Sequence, residues 1–249
     1  MKYARPLLLP TLCAISLVTL TADTRSAHAE SGSSDVTLEK HRGAFEIKLG
    51  AYQPSIDSEF GGDGPYSRFF GESSMLQIEG EWDIYLFEKF GHHGVAIHAG
   101  FTRKSAAVQT DDAMDVTLPG ETALRVIPVR ASLLSRIDYF ARRYRVPLVP
   151  TLKIGLDYYL WRIGDSGGDV ATANGAMARG GKLGWHASAG LNLLLDPLAA
   201  SRAASMERKW GIANTYLFGA FLHTDVDGFG AQGFDFSDNQ WLFGLAVEF

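Results

Sequence analysis

The sequence has almost no cysteine: Cys13 is the single one among 249 residues. It lies in an N-terminal apolar run, residues 7–20, that is typical of the hydrophobic region of a secretory signal peptide. Leu12, which is not a small residue, precedes it and argues against a lipoprotein anchor. We expect the run to be removed, and a mature chain without cysteine excludes disulfide bonds, a thiol nucleophile and a thiolate metal site.

The ends of this apolar run complete the pattern of an exported protein. Lys2 and Arg5 precede the run, and an Ala-x-Ala cleavage site ends at Ala29. Pro10 and the short length of the run argue against a transmembrane helix. The sequence therefore predicts a cleaved Sec signal peptide over residues 1–29, a polar periplasmic lead-in over residues 30–42, and a folded domain over residues 43–249.

The chain also lacks an excess of positive charge. It has 23 basic and 28 acidic residues, and the predicted signal peptide removes three basic residues and one acidic residue. The mature chain would then carry 20 basic and 27 acidic residues, a net charge of −7. A nucleic-acid partner would require clustered lysine and arginine, so we expect none.

No apolar run of about 18 residues follows the signal peptide, so no helix is predicted to span a membrane. Segments of alternating apolar and polar residues recur instead, which is the pattern of β-strands with two different faces. Eight such segments are present, and an even number is what a single-chain bacterial outer-membrane barrel requires. They cover residues 44–52, 75–87, 94–103, 123–137, 147–163, 183–195, 212–223 and 240–249.

The connections between these segments alternate in length. Long segments rich in Gly, Asp and Ser occupy residues 55–73, 105–121, 164–182 and 225–239. Short links occupy residues 88–93 and 138–146, and a predicted three-turn helix follows the sixth segment, with Asp196 as its cap and Pro197 in its first turn. Short periplasmic turns opposite long extracellular loops are typical of an eight-stranded antiparallel up-and-down transmembrane β-barrel with one short periplasmic helix. Ten strands stay possible if a long loop contains a hairpin.

The aromatic residues indicate which side of the barrel is apolar. Several tryptophan, phenylalanine and tyrosine residues share the apolar face and lie near strand ends, where interfacial girdles occur. The apolar face should therefore meet lipid, whereas a soluble lipocalin-like barrel would bury it. The polar face then points inward, where we expect a salt-bridge network in the narrow lumen. Its predicted members are Glu46, Lys48, Glu79, Glu81, Asp83, Arg130, Arg136, Lys153, Asp157 and His186.

The last ten residues alternate in the same way and finish on an aromatic residue. Trp241, Phe243, Val247 and Phe249 share one face, with Leu245 between them. A terminal strand that ends on phenylalanine resembles the C-terminal signal of bacterial outer-membrane barrels. We therefore expect the barrel-assembly machinery to recognise this strand.

Three segments carry a resemblance to a known family: VPLVPTLKIGLDYYLWR at 146–162, GWHASAGLNLLLDPL at 184–198 and NTYLFGAFLHTDVDGFG at 214–230. They resemble the myxobacterial-type family of outer-membrane β-barrel proteins, and more broadly the OmpA-like small barrels. The resemblance covers the fourth to eighth predicted strands and is weaker in the N-terminal third. It implies an outer-membrane barrel, and it implies no assigned activity.

Two patterns suggest specific chemistry. His186 and Ser188 have the His-x-Ser spacing of lipid A deacylase barrels, in which histidine activates the serine. Their position in the alternation directs both into the lumen, away from lipid, so a packed interior histidine is the preferred interpretation. The Asp225-Val226-Asp227-Gly228 segment begins like a calcium loop but has its glycine too early. Neither this segment nor His92 and His93 predicts a metal site, and no cofactor is expected.

The predicted function is accordingly non-enzymatic. We expect a barrel with a plugged, charge-lined interior in the cell outer membrane, in contact with outer-membrane lipid and lipopolysaccharide, with a structural or envelope-interaction role through its extracellular loops. The alternatives are a small porin and a lipid A-modifying enzyme. The sequence does not identify the loop partner or the oligomeric state.

Overall fold

The structure, a computed structural model, describes residues 42–60, 64–106, 122–165, 169–173, 176–198 and 200–249. The predicted signal peptide and nearly all of the predicted lead-in lie outside the described residues. So do the acidic residues at positions 63, 111, 112, 115 and 121 of the predicted loops.

Eight antiparallel strands form one closed barrel, which confirms the predicted fold class. Neighbouring strands in the barrel are consecutive along the chain, and the first strand closes the barrel by pairing with the last, with Phe45 opposite Val247. The strands are β1 (Gly43–Tyr52), β2 (Met75–Glu88), β3 (His92–Ala106), β4 (Thr122–Arg136), β5 (Leu148–Asp165), β8 (Arg179–Leu194), β9 (Asn214–Asp225) and β10 (Asp238–Glu248).

The question of ten strands is resolved by a short hairpin. Strands β6 (Thr172–Ala173) and β7 (Ala176–Met177) pair with each other in the connection between β5 and β8. They form a separate two-stranded sheet and do not enter the barrel. A loop hairpin is therefore present, and the barrel keeps eight strands.

The alternation places apolar side chains outside and charged side chains inside. In β1, Ile47 is 52% exposed, whereas Glu46 and Lys48 on either side of it are 2% and 5% exposed. Most of the exposed apolar residues of the other barrel strands, such as Leu156 in β5, also lie on the outer surface. In a soluble protein most apolar side chains lie inside, whereas here they lie on the outer surface. Such a surface is removed from water only when lipid hydrocarbon surrounds it. The barrel is a transmembrane barrel, and the soluble alternative is excluded.

The two ends of the barrel differ. One end, here called the terminal end, holds the first residue of β1, the last of β10, the two short connections and the helix-containing connection at residues 195–213. The other, the loop end, holds the four long connections. None of the described helices is long and apolar enough to cross a membrane.

Helices occur at both ends, and the sequence predicted one of them. The predicted helix after the sixth barrel strand is confirmed as α3 (Ala200–Trp210), preceded by a 3-10 turn at Asp196–Leu198. Two six-residue helices were missed: α1 (Pro65–Phe70), in the first long loop behind a 3-10 turn at Ile56–Phe60, and α2 (Tyr139–Tyr144), in a link predicted to be a plain turn. Six residues are too few for a helical period to stand out from the surrounding pattern.

Asp196 does not have the environment that was predicted for a helix cap. It lies within the 3-10 turn, and one of its carboxylate oxygens accepts a hydrogen bond from the Thr215 backbone N–H at 3.1 Å. The residue thus ties the α3 connection to the beginning of β9. The described contact of the carboxylate therefore joins the 3-10 turn to β9, and no described residue of α3 donates a capping hydrogen bond to it.

Two clusters of buried apolar side chains lie near the ends of the barrel. At the loop end, Tyr52, Tyr66, Leu124, Tyr159 and Phe236 belong to one buried cluster. Near the terminal end, a smaller cluster contains Val149, Tyr216, Phe218 and Ala246. The charged residues occupy the lumen between the two clusters, and this region is the candidate site.

Candidate functional site

The strand register creates a charge conflict that the lumen must resolve. Glu46 of β1 lies directly opposite Glu81 of β2, and both are buried. Like charges directly opposite each other in a sheet are destabilising, and in a low-dielectric interior the cost rises. The two carboxylates therefore require cations between them.

Two lysines supply these cations. The Lys153 ammonium of β5 reaches across the lumen to Glu46 at 3.0 Å and also donates to Glu81. Lys48 donates to the other oxygen of Glu81 and lies 3.4 Å from Glu46. Each lysine bridges both carboxylates, so strands on opposite sides of the barrel are joined through one buried group of charges.

Arg136 extends this group towards the terminal end. It donates to Glu46 at 2.7 Å and to Asp83 at 3.2 Å, and it lies 3.9 Å from Glu248. Its guanidinium also lies over the rings of Tyr85 and Tyr216. Glu248 accepts a further hydrogen bond from the Tyr216 hydroxyl.

Arg130 is the centre of a second group of charges towards the loop end. It donates to Glu79 at 2.6 Å and to the Tyr159 hydroxyl at 2.8 Å, and lies 3.7 Å from Asp157. Asp157 in turn accepts a hydrogen bond from Nδ1 of His186. The structure thus places all ten sequence-predicted residues in the lumen, divided between these two groups.

Ser132 and His98, which are not among the ten predicted residues, join the two groups. The Ser132 hydroxyl lies 2.8 Å from Nε2 of His98 and 2.8 Å from Nε2 of His186. Because it has a single proton, it donates to one imidazole and accepts from the other. His98 contacts Glu81 at 2.7 Å, which completes a continuous path from Glu79 to Asp83. The alternation of the sequence placed both residues on the polar face of their strands, but no sequence signal singled out either one as a member of the network.

Three carboxylates of the network have the spacing of a metal site. Oxygens of Glu46, Glu81 and Asp83 lie within 4.8 Å of one another. Lys153 contacts all three, and Arg136 contacts Glu46 and Asp83. The protein's own cations therefore occupy the position that a metal ion would take.

His186 is 1% exposed, in agreement with the preferred interpretation of a packed interior histidine, and the structure adds its partners. His186 points into the lumen, but its two nitrogens contact Asp157 and Ser132 rather than Ser188. Ser132, His186 and Asp157 thus have the hydrogen-bond order of a catalytic triad. Ser132 is also bonded to His98 and is 4% exposed, so the arrangement meets neither lipid nor bulk water.

Space in the centre of the lumen is small. The cavity bounded by Lys48, His98, Arg130, Lys153 and His186 has a volume of about 20 Å³. A single water needs roughly 10–15 Å³ of such volume. The centre of the lumen therefore has room for a water molecule and excludes an acyl chain or a sugar.

A smaller polar group anchors the terminal end. Asp138, just after β4, lies 3.3 Å from His92 of β3 and 2.7 Å from Arg142 of α2. Burial raises the pKa of Asp138, but the contacts with His92 and Arg142 outweigh this effect, and the pKa is lowered from its usual value. An ionised Asp138 thus holds α2 against the barrel.

The acidic segment at 225–228 is satisfied without a metal ion. The Asp225 carboxylate accepts from Trp185 Nε1 at 3.2 Å, and that of Asp227 accepts from the Gly230 N–H at 2.9 Å. The Lys182 ammonium donates to the backbone carbonyls of Asp227, Ala231 and Gln232. A lysine therefore supplies the positive charge in this loop.

Comparisons with known proteins find similarity in structure alone. No protein-family model matches the chain, and no curated protein matches it in sequence. Among solved structures, Ail, the attachment invasion locus protein of Yersinia pestis in complex with the heparin analogue sucrose octasulfate, is 11% identical with a TM-score of 0.40, covering 84% of this chain and 99% of Ail. The N-terminal β-barrel domain of Pseudomonas aeruginosa OprF is 9% identical with a TM-score of 0.34, covering 84% of this chain and all of that domain.

Proposed function

We propose that this protein is an outer-membrane β-barrel with a closed, non-conducting interior and a structural or envelope-interaction role carried by its extracellular loops. The observation that carries the proposal is the connected charge network, with apolar clusters near both ends of the lumen. The interior is built for rigidity rather than transport, since every network cation contacts at least one carboxylate.

The outer membrane is the location that the features support best. The apolar outer surface requires lipid, and the predicted signal peptide directs export. We propose that the loop end is extracellular and that the barrel-assembly machinery recognises β10. On the outside of that strand, Trp241 and Phe243 are 59% and 60% exposed. Membership in the myxobacterial-type family is part of the same proposal and depends on the three sequence segments described above.

The loop end also offers a place for an apolar group. Ile56, Phe69, Phe70, Leu124 and Phe234 contribute to a pocket of about 210 Å³ between the first and last long loops. Tyr66 also lines it, and its hydroxyl has no hydrogen-bond partner among the described residues. Burial, together with the charge of Asp57, raises the pKa of Tyr66 to about 12, so the hydroxyl stays a donor at neutral pH. Such a pocket supports interaction through the loops.

Planar-bilayer conductance tests the closed interior. The folded mature barrel should give no single-channel steps, because the paired charges and the apolar clusters leave no continuous water path. Heat-modifiable migration on a gel provides the control that the inserted protein is folded. Steady conductance steps from folded protein would favour the porin, and the proposed closed interior would then be wrong.

Serine reactivity tests the enzymatic alternative. A fluorophosphonate probe in detergent should leave the folded barrel unlabelled, because Ser132 is enclosed and Ser188 is not bonded to His186. Mass spectrometry of the intact chain measures the labelling, with Ser132→Ala and Ser188→Ala as matched variants. Labelling of the native chain that disappears in one variant would identify a nucleophile and contradict the non-enzymatic role.

A further inference from the structure

Four arginines from four adjacent strands form one row at the loop end of the barrel. Arg103 of β3 pairs with Arg125 of β4, Arg125 pairs with Arg162 of β5, and Arg162 pairs with Arg179 of β8. Neighbouring strands lie about 5 Å apart, so the row spans roughly 15 Å. We call these four residues the arginine row.

The arginine row lies on the outside of the barrel. In β5 the outward positions are the even-numbered ones, since Leu156 and Leu160 are exposed while Asp157 and Tyr159 are buried. Arg162 continues this outward series, and the other three arginines continue the outward series of their own strands. The exposed apolar side chains form a band around the barrel, here called the apolar belt. Each arginine lies within a few residues of this belt, on the side of the loop end, where lipid headgroups adjoin the hydrocarbon.

The row carries positive charge that the described residues do not compensate. The arginines that form ion pairs in the described part of the chain are Arg130, Arg136 and Arg142. No hydrogen bond or ion pair with another described residue is formed by any side chain of the row. Like charges on directly paired residues are unfavourable, and an anion bound across the row would relieve this repulsion.

An apolar groove adjoins the arginine row on the same outer surface. It has a volume of about 440 Å³ and is lined by Ile127 and Leu160, with Arg125, Arg162 and Arg179 also on its walls. Gly181 leaves room for the Tyr158 ring there, because a Cβ at this position would lie 2.2 Å from the Tyr158 hydroxyl oxygen. The groove therefore joins a hydrocarbon-like surface to a row of phosphate-binding groups.

We infer that the arginine row and this groove bind a phosphorylated, acylated glycolipid of the outer leaflet. The guanidinium groups would hold its phosphates by bidentate hydrogen bonds, and an acyl chain would lie along Ile127 and Leu160. The charge and the apolar groove together select a lipid phosphate over a free anion. This inference rests on the proposed function, because it requires the loop end to be in the outer leaflet.

Lipid A is the probe that tests the site. The full mature chain is folded in a zwitterionic detergent and titrated with bisphosphorylated lipid A, and native mass spectrometry counts the bound lipid. Arg125→Gln/Arg162→Gln should weaken binding by about tenfold or more, since each lost group removes charge-assisted hydrogen bonds. The matched control is Arg143→Gln/Arg145→Gln, which removes the same charge at the terminal end and should bind like the native chain.

Two further binding measurements distinguish recognition of a lipid phosphate from recognition of free inorganic phosphate. Dephosphorylated lipid A should bind native protein as weakly as the row variant binds lipid A, and millimolar inorganic phosphate should not displace lipid A. Displacement by inorganic phosphate, or equal binding of the dephosphorylated lipid, would overturn the inference. If Arg125→Gln/Arg162→Gln fails to show heat-modifiable migration, Arg103→Gln/Arg179→Gln replaces it.

Different results would contradict this inference and the proposed function. A folded, non-conducting barrel that binds lipid A equally well in row and control variants would contradict the arginine row alone. A chain that conducts ions would contradict the closed interior whatever its affinity for lipid A.

Discussion

Replacing Arg136 with methionine should lower the free energy of unfolding by about 3–5 kcal/mol, the cost of removing one partner from a buried ion pair. Arg136 is fully buried and donates to Glu46 and Asp83. Among the cations of the described residues, its loss leaves Asp83, which is fully buried, with the more distant Lys153 at 3.8 Å. Reversible denaturant unfolding in phospholipid vesicles, followed by tryptophan fluorescence, measures the change.

Two variants separate the loss of charge pairing from other effects of the substitution. Arg143→Met in α2 removes an exposed charge and should change stability by less than about 0.5 kcal/mol. Arg136→Met/Asp83→Asn removes charge from both partners and should recover part of the loss. Equal stability of Arg136→Met and the native chain would show that the interior charges are solvated, contrary to the closed lumen.

Placing an arginine in the middle of the apolar belt should be nearly as damaging. Leu156 is 63% exposed and lies at the centre of the outward series of β5. In a lipid bilayer Leu156→Arg should cost about 2–4 kcal/mol, because the guanidinium must be drawn into hydrocarbon. The same unfolding measurement in vesicles gives the value, and the folded fraction on a gel gives an independent one.

A substitution of the same type near the edge of the belt is the control. Leu76 is equally exposed, at 63%, but lies near the loop end of β2. Leu76→Arg should cost about 0–1 kcal/mol, because its charge can reach the headgroups. If both substitutions were harmless, the outer surface would not be in lipid, and the transmembrane assignment would be contradicted.

Most of the barrel follows from local pattern. Alternation identified all eight strands, because each side chain in a strand must meet either lipid or the interior, and the two environments select opposite residue types. The predicted strand boundaries differ most from the structure where the alternation of apolar and polar residues stops. Strand β8 begins at Arg179 rather than at residue 183, since Gly180 and Gly181 carry no apolar signal although their backbones continue to pair with β5.

The arginine row illustrates the same limit. Each of its members is an isolated arginine in a different part of the sequence, and no local feature connects Arg103 with Arg179. They become neighbours only because the register of three strand pairs aligns them. A shift of one residue in any pair would turn one arginine towards the lumen.

The sequence by itself predicted the eight barrel segments, the side of each strand that meets lipid, and ten of the titratable residues in the lumen, and it left open whether a loop hairpin adds two strands. These follow from periodicity and composition, which act within a few residues along the chain. Only the tertiary structure decided which charges pair, because contacts such as Lys153 with Glu46 depend on the register and closure of the barrel. For the same reason it alone revealed that Ser132 joins the two groups of charges, and that His186 contacts Ser132 instead of Ser188.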